Sequence, residues 1–442
     1  MSEDNLRRGS AGVLLLTGLG LAYVLIGNYV AWGFALASGG VGGLLVALVI
    51  VSVAFFCLVG CLGELAAMMP SAGAGFEYVR RGLGIRLGWM AGSAILLEYV
   101  CGTAALAAFS ASYIGVLTGA SKDVTIVSLF VVVGLLHAIG VGEALSVTLA
   151  VAAVAIIGVF AYVAALIPSM SWAHVLDAAP QAGSAAWFPH GWTGVWAAIP
   201  FVVTFFITIE GVSFAAEEAR APERTIPAAM YAALLIAVGL AVIVCIVGPA
   251  GAGATLLAGT PDPMAAALRA VSGSPTAHWA SVYVNYAGAA GLAASFFGGL
   301  FASSRLLFHF ARVDILPRVL ARTNARHAPW VAVVASSIAG LFLALAADTE
   351  QLVVIFVCVA TASYLLMLAA HARLRRIQPD APRPYRTPAG YLMPIVGSVL
   401  ALIIFVACFL ADVRFSTLGL VLMGILAALL MHGGRRASSA AS

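Results

Sequence analysis

The sequence predicts an all-α integral membrane protein with twelve transmembrane helices. Three observations predict it. The 442 residues are 63% hydrophobic and only 9% charged, against about 25% charged in soluble domains. The apolar residues come in blocks of roughly 20, the length of a helix that crosses a bilayer. The cationic residues sort to one side once twelve blocks are counted.

The blocks run in order along one domain, residues 1–442. A polar opening, Met1 to Ser10, precedes the first block, with no small-residue cleavage site near its end. It reads as a retained span and not as a signal peptide. An uncharged stretch from Gly9 to Gly63 holds spans one and two, at 12–37 and 41–66. Span three covers 86–118 and carries Glu98; spans four and five cover 124–142 and 146–167. Trp172, Trp187 and Trp192 lie in the outer segment that follows and suit an interfacial belt. Spans six to ten cover 193–216, 226–249, 279–311, 329–346 and 351–371. A stiff inner linker with Pro382, Arg383 and Pro384 then leads to spans eleven and twelve, at 391–410 and 415–432.

Charge tests this count. With the N-terminus cytoplasmic, inner segments hold nineteen arginines and outer segments only Lys122, Arg269 and Arg414. That follows the positive-inside rule. The predicted location is therefore the cytoplasmic membrane, multi-pass, with both termini inside. The net charge of +4 has this topological origin and is no nucleic-acid signal. The six cysteines all fall in apolar blocks. Cys57 and Cys61 are one helical turn apart, but small buried hydrophobes explain them without a metal or disulfide.

Two breaks interrupt the spans at matching places, about 183 residues apart. One is Gly27-Asn28-Tyr29 in span one; the other is Thr208-Ile209-Glu210-Gly211 in span six. Backbone freed inside a membrane must face protein, water or a ligand. Broken spans in corresponding halves point to a transport site. Half-helix N-termini suit anions, and half-helix carbonyls suit an ammonium. Glycine at 27 and 211 permits backbone conformations that other residues resist. Tyr29, Trp32 and Phe205 lie beside the breaks, where aromatic faces can hold an ammonium. Span one runs in to out and span six out to in, as an inverted repeat requires.

Carboxylates inside spans are expensive and functional by default. Glu98 lies about twelve residues into span three, and Glu210 lies at the second break. Glu64, at the inner end of span two, reads as an interfacial or gating residue. Ser303 and Ser304 end span eight; they fit helix packing better than a cation site. His137 and His309 have no carboxylate at a convincing spacing and read as inner-interface residues. No phosphate loop of the GxxxxGK type is present, and no nucleophile–base or metalloenzyme spacing. Neither an enzyme nor a cofactor is indicated.

The residues also carry a resemblance. Pro70-Ser71-Ala72-Gly73-Ala74-Gly75-Phe76-Glu77-Tyr78, and Glu210 followed by Glu217-Glu218 and Pro222-Glu223-Arg224-Thr225-Ile226-Pro227, resemble signatures of the amino acid–polyamine–organocation superfamily. Gly27-Asn28-Tyr29-Val30-Ala31-Trp32-Gly33, Leu97-Glu98-Tyr99 and Ala293-Ala294-Ser295-Phe296-Phe297-Gly298 are most similar to bacterial ethanolamine permeases. The resemblance implies a LeuT-like fold: a five-plus-five inverted repeat, 1–167 and 193–372, with two added helices at 391–432. It implies a secondary transporter of a small primary amine, with ethanolamine first and a zwitterionic amino acid as the alternative. A non-transporting amine sensor is the remote alternative. The implied substrate site is Gly27, Asn28, Tyr29, Trp32, Glu98, Phe205, Thr208, Glu210 and Gly211. Some proton-coupled members carry a lysine in span five, near Ala155 here. This span has none, so titration at Glu210, exchange, or no ion coupling all stay open.

Overall fold

The computed structural model describes residues 9 and 11–440, apart from 31, 140, 182, 261 and 272–274. Met1–Arg8, Ser10 and Ala31 lie outside the described residues. Helices occupy all twelve predicted segments. Among the described residues, eight helices are long and apolar enough to cross a membrane on length and composition; Val13–Asn28, Gly191–Val203 and Trp330–Ala346 are shorter apolar helices.

The shortness of two of these has a local cause. Span one is α-helical over Val13–Val24, tightens to a 3₁₀ turn over Leu25–Asn28 and restarts at Trp32. It then runs without a gap into span two within Trp32–Met68, interrupted only where Gly40 takes φ 66°. A left-handed residue reverses the chain there at no steric cost. Span six is α-helical over Gly191–Val203 and continues as a 3₁₀ helix over Ile209–Ala215. The expected second half of span six is thus not α-helical. Its break opens earlier than expected, at 204–208.

Neither Gly27 nor Gly211 takes a positive φ, so the expectation of special backbone at those glycines is corrected. Thr208 takes it instead, with φ 70° and ψ 6°. A β-branched residue there is a steric outlier. The glycines serve close approach: a Cβ at Gly27 would lie 2.4 Å from the Phe205 Cα.

Ala74–Leu83, before span three (Ile85–Thr118), and Pro263–Ala270, before span eight (Pro275–Arg312), are among the short helices that were not expected as separate elements. Span eight is 38 residues long, longer than the apolar block alone predicts. Apolar side chains such as Leu235, Phe342 and Leu429 face outward, as lipid-facing helix surfaces require. The six cysteines are free and buried.

Candidate functional site

The two broken helices lie side by side and antiparallel. At one end, the Ala11 N–H donates to the Glu218 carbonyl at 3.2 Å, and the Arg220 N–H to the Ala11 carbonyl at 2.8 Å. At the middle, Gly27 packs on the backbone of Phe205, and the Thr208 hydroxyl lies 3.5 Å from the Tyr23 carbonyl. Ser295 of span eight donates its hydroxyl to the carbonyl of Ala22, in the last turn before the first break. The breaks therefore face one another, with span eight behind them.

Strained backbone at Thr208 is held from both sides. Its N–H donates to the Tyr364 hydroxyl of span ten (Thr349–Ile377) at 3.0 Å. Its carbonyl lies 3.3 Å from the Tyr99 hydroxyl of span three. The same two tyrosines meet the carboxylates. Tyr99 donates to Glu210 Oε1 at 2.6 Å, and Tyr364 lies 2.9 Å from Glu210 Oε2 and 3.3 Å from Glu98 Oε1. All five residues except Thr208 are buried. Glu98 Oε2 and the Tyr23 hydroxyl have no hydrogen-bond partner among the described residues.

A cavity of about 100 Å³ opens beside this cluster. Ile26, Val30, Phe34, Leu106, Ile207, Val353 and Phe356 supply apolar wall, while Tyr23, Glu98, Thr103, Thr204, Thr208 and Ser295 supply polar atoms. An apolar hollow with a few convergent polar groups is the usual form of a small-molecule site.

Three of the predicted residues, Gly27, Glu98 and Thr208, line the cavity. Six stand away from its wall. Glu210 lies behind it, on Tyr99 and Tyr364. Gly211 packs against the Tyr23 and Tyr99 rings. Phe205 is buried behind Gly27, against the Phe206 ring at 6.0 Å between centroids. Tyr29 reaches span five, where its hydroxyl donates to the Ala155 carbonyl at 2.5 Å. Trp32 donates from its indole nitrogen to the Asn28 carbonyl at 3.2 Å. The Asn28 side chain is fully buried, and neither its oxygen nor its nitrogen has a partner among the described residues.

Sequence reasoning missed Tyr23 and Tyr364. The signal available was a tyrosine deep in an apolar helix, since a buried phenol needs a partner.

At the end of the bundle predicted to face the cytoplasm, ion pairs join span eight to its neighbours. Arg305, His309 and Arg312 follow i, i+4, i+7 along one face of span eight. Arg305 meets Glu218 at 3.1 Å, and both side chains are fully buried. Arg312 meets Glu217 Oε2 at 2.8 Å, and Glu217 Oε1 accepts the Ala72 N–H at 2.9 Å. His309 Nε2 lies 3.1 Å from Glu77, so this histidine does have a carboxylate, 232 positions away in sequence. Burial raises the Glu77 carboxyl, but hydrogen bonds from His309 and Arg80 outweigh it and hold the group at about 2. Glu217 is likewise lowered: burial opposes, and Arg312 and the Ala72 N–H prevail. His137 is tied instead to the Phe297 carbonyl at 3.0 Å. Glu64 accepts from Arg375 at 2.5 Å, Arg383 at 2.9 Å and the Thr387 N–H at 2.7 Å.

A bundle of apolar helices, two of them broken around a cavity, defines a multi-pass membrane permease. The chain belongs to the amino acid permease family, whose model matches residues 11–430, within the amino acid–polyamine–organocation superfamily. Among its relatives is the branched-chain amino acid permease BcaP of Lactococcus lactis subsp. cremoris, 26% identical over 367 residues, 77% of each chain. The protein of the same name in Bacillus subtilis is 22% identical over 420 residues, 89% of this chain and 86% of its own. The vacuolar cationic amino acid transporter 2 of Arabidopsis thaliana is 26% identical over 345 residues, 73% of this chain and 53% of that one.

Proposed function

We propose that this permease is a secondary transporter that moves an amino acid with an aliphatic side chain across the cytoplasmic membrane by alternating access. The carrying observation is the cavity between the breaks: mostly apolar wall, with Glu98 and Thr208 among the few polar residues that line it. An aliphatic side chain would fill the apolar part. Its α-ammonium would lie toward Glu98 Oε2, the unpartnered oxygen. The two bacterial branched-chain relatives support this class of substrate.

Ethanolamine is the second reading. A carboxyl in the cavity wall suits its ammonium, and it brings no carboxylate that would need donors. Its lack of an apolar tail weighs against it in this cavity. Under either reading, all twelve helices span the membrane with both termini cytoplasmic. Spans one to five and six to ten form a LeuT-like inverted pair. The antiparallel run of spans one and six, with Ala11 beside Glu218 at one end and Gly27 beside Phe205 at the middle, supports that arrangement.

Counterflow in proteoliposomes tests both readings. Vesicles loaded with L-leucine should draw in labelled L-leucine, and external ethanolamine should compete weakly. Ethanolamine exchange without leucine exchange would transfer the proposal to the second reading. Binding of either with no exchange would leave a sensor, not a transporter.

A further inference from the structure

We propose that Glu98 holds a proton while the cavity is empty, shared with the Tyr364 hydroxyl, and that a substrate ammonium displaces it. This makes Glu98 a proton–amine exchange site and Tyr364 its positioning residue. It rests on the amine-transport reading above.

The argument is a donor count. A tyrosine has one O–H to donate and two lone pairs to accept with. Tyr364 accepts the Thr208 N–H at 3.0 Å. Its own hydrogen goes to the nearer carboxyl oxygen, Glu210 Oε2 at 2.9 Å. Glu98 Oε1 at 3.3 Å then faces a lone pair. Two acceptors face each other there unless a hydrogen lies between them, and that hydrogen must belong to Glu98.

The opposite placement, with the proton on Glu210, fits worse. Glu210 receives the Tyr99 hydroxyl at 2.6 Å as well as Tyr364, which is the environment of a carboxylate. Glu98 receives no such pair; besides Tyr364 it faces the Glu210 carboxyl itself, and no other donor reaches its Oε2 among the described residues. An ionised carboxylate with a bare oxygen at an apolar wall is the costlier arrangement. Facing Glu98 are Tyr364 from span ten, Glu210 from span six, Tyr99 from its own helix and Tyr23 from span one. Spans four, eight, nine and twelve and the inner helix Ala74–Leu83 also pack on span three. Among the described residues they bring no titratable side chain within hydrogen-bond distance of Glu98.

Because Glu98 lines the cavity, an incoming ammonium meets its carboxyl. A cation there favours the charged carboxylate. The Glu98 O–H bond breaks, its electron pair stays on the carboxylate, and the proton passes to water. The ammonium keeps its three hydrogens. When substrate leaves, a proton from water returns to Glu98. The charge at the site is conserved: a neutral acid plus a cation becomes an ion pair plus a free proton.

Calorimetry of the purified full chain tests this. L-leucine, L-lysine and ethanolamine are titrated in two buffers of different ionisation enthalpy. The expected result is close to one proton released per ligand bound, with Kd falling about tenfold per pH unit where Glu98 is protonated. Glu98→Gln should bind more weakly, release no proton and lose the pH slope. Tyr364→Phe should move the release curve along the pH axis, a change that simple loosening of the fold does not produce. Binding with no proton change, binding with proton uptake, or release retained in Glu98→Gln each overturns the proposal. If none of the three compounds binds, the functional reading fails by itself. The proton is then read by infrared spectroscopy of the substrate-free protein. A protonated-carboxyl band that shifts in Tyr364→Phe upholds it, and absence of that band or of the shift overturns it.

Discussion

Arg305→Met tests whether the inner seal is held by charge in a dry interior. Arg305 and Glu218 are both fully buried, with Nη2 3.1 Å and Nε 3.3 Å from the same oxygen. The guanidinium also lies 3.7 Å from the Phe301 ring centroid. Methionine keeps most of that packing and removes the charge. Glu218 then has no fallback, because its other oxygen has no partner among the described residues. Breaking one side of a buried pair costs about 3–5 kcal/mol. Replacing both sides with apolar groups of similar volume is often near neutral. The assay is equilibrium unfolding in mixed micelles of wild type, Arg305→Met, Glu218→Leu and the double variant. The coupling between the two substitutions should reach about 3 kcal/mol or more. If Arg305→Met loses under about 1 kcal/mol, or if the double variant is as unstable as the single, the seal is not a dry ion pair.

Gly27→Ala should abolish counterflow while the protein still inserts, because its Cβ would meet Phe205 Cα at 2.4 Å and the Thr204 carbonyl at 2.7 Å; overpacking costs about 1–3 kcal/mol, and wild-type exchange rates in this variant would show that the breaks do not touch. Acid should weaken the inner layer through Glu77. Its lowered value means the ionised form favours the folded contact, so its contribution is complete above the ordinary carboxylate range and is lost as pH falls toward about 2. Thermal stabilities of wild type and Glu77→Gln, measured from pH 6 downward, should therefore converge; a constant gap would refute this. Glu64→Gln should free the linker at residues 378–388, since Glu64 is the shared acceptor for Arg375, Arg383 and the Thr387 N–H. Trypsin cleavage after Arg386 should accelerate, and an unchanged cleavage rate would show the linker is held by packing alone.

How much of this was legible in the sequence depends on how far each signal reaches along the chain. Span positions were legible because hydropathy is local: the predicted 351–371 lies inside the observed Thr349–Ile377. The breaks were legible because Gly27 and the Thr208–Gly211 run interrupt apolar helices. Their backbone conformation was not, because Thr208 is left-handed only under tertiary restraint from Tyr364 and Tyr99. Glu98 and Glu210 stood out as costly residues in apolar surroundings. Tyr364 did not, although it joins them: its bonds to Glu98 and Glu210 span 266 and 154 positions. The inner ion pairs were invisible for the same reason, with separations of 87, 95 and 232.

Three of these long-range contacts, at Glu210, Glu217 and Glu218, lie on span six or just after it, and that gives the fold a mechanical consequence. The 3₁₀ segment Ile209–Ala215 begins at the strained Thr208 and leads directly into Glu217 and Glu218. A left-handed threonine costs of order 1–3 kcal/mol, and the Tyr99 and Tyr364 bonds hold it in place. Whatever loosens those bonds lets Thr208 relax, and relaxation moves the start of a seven-residue rod whose far end is clamped to span eight. Arg305 and Arg312 hold that far end through Glu218 and Glu217, so moving it away from span eight breaks both contacts together. The substrate end and the inner seal are thus two ends of one segment. This is why a change at Glu98, which touches neither Arg305 nor Arg312, is expected to alter how readily the inner side opens.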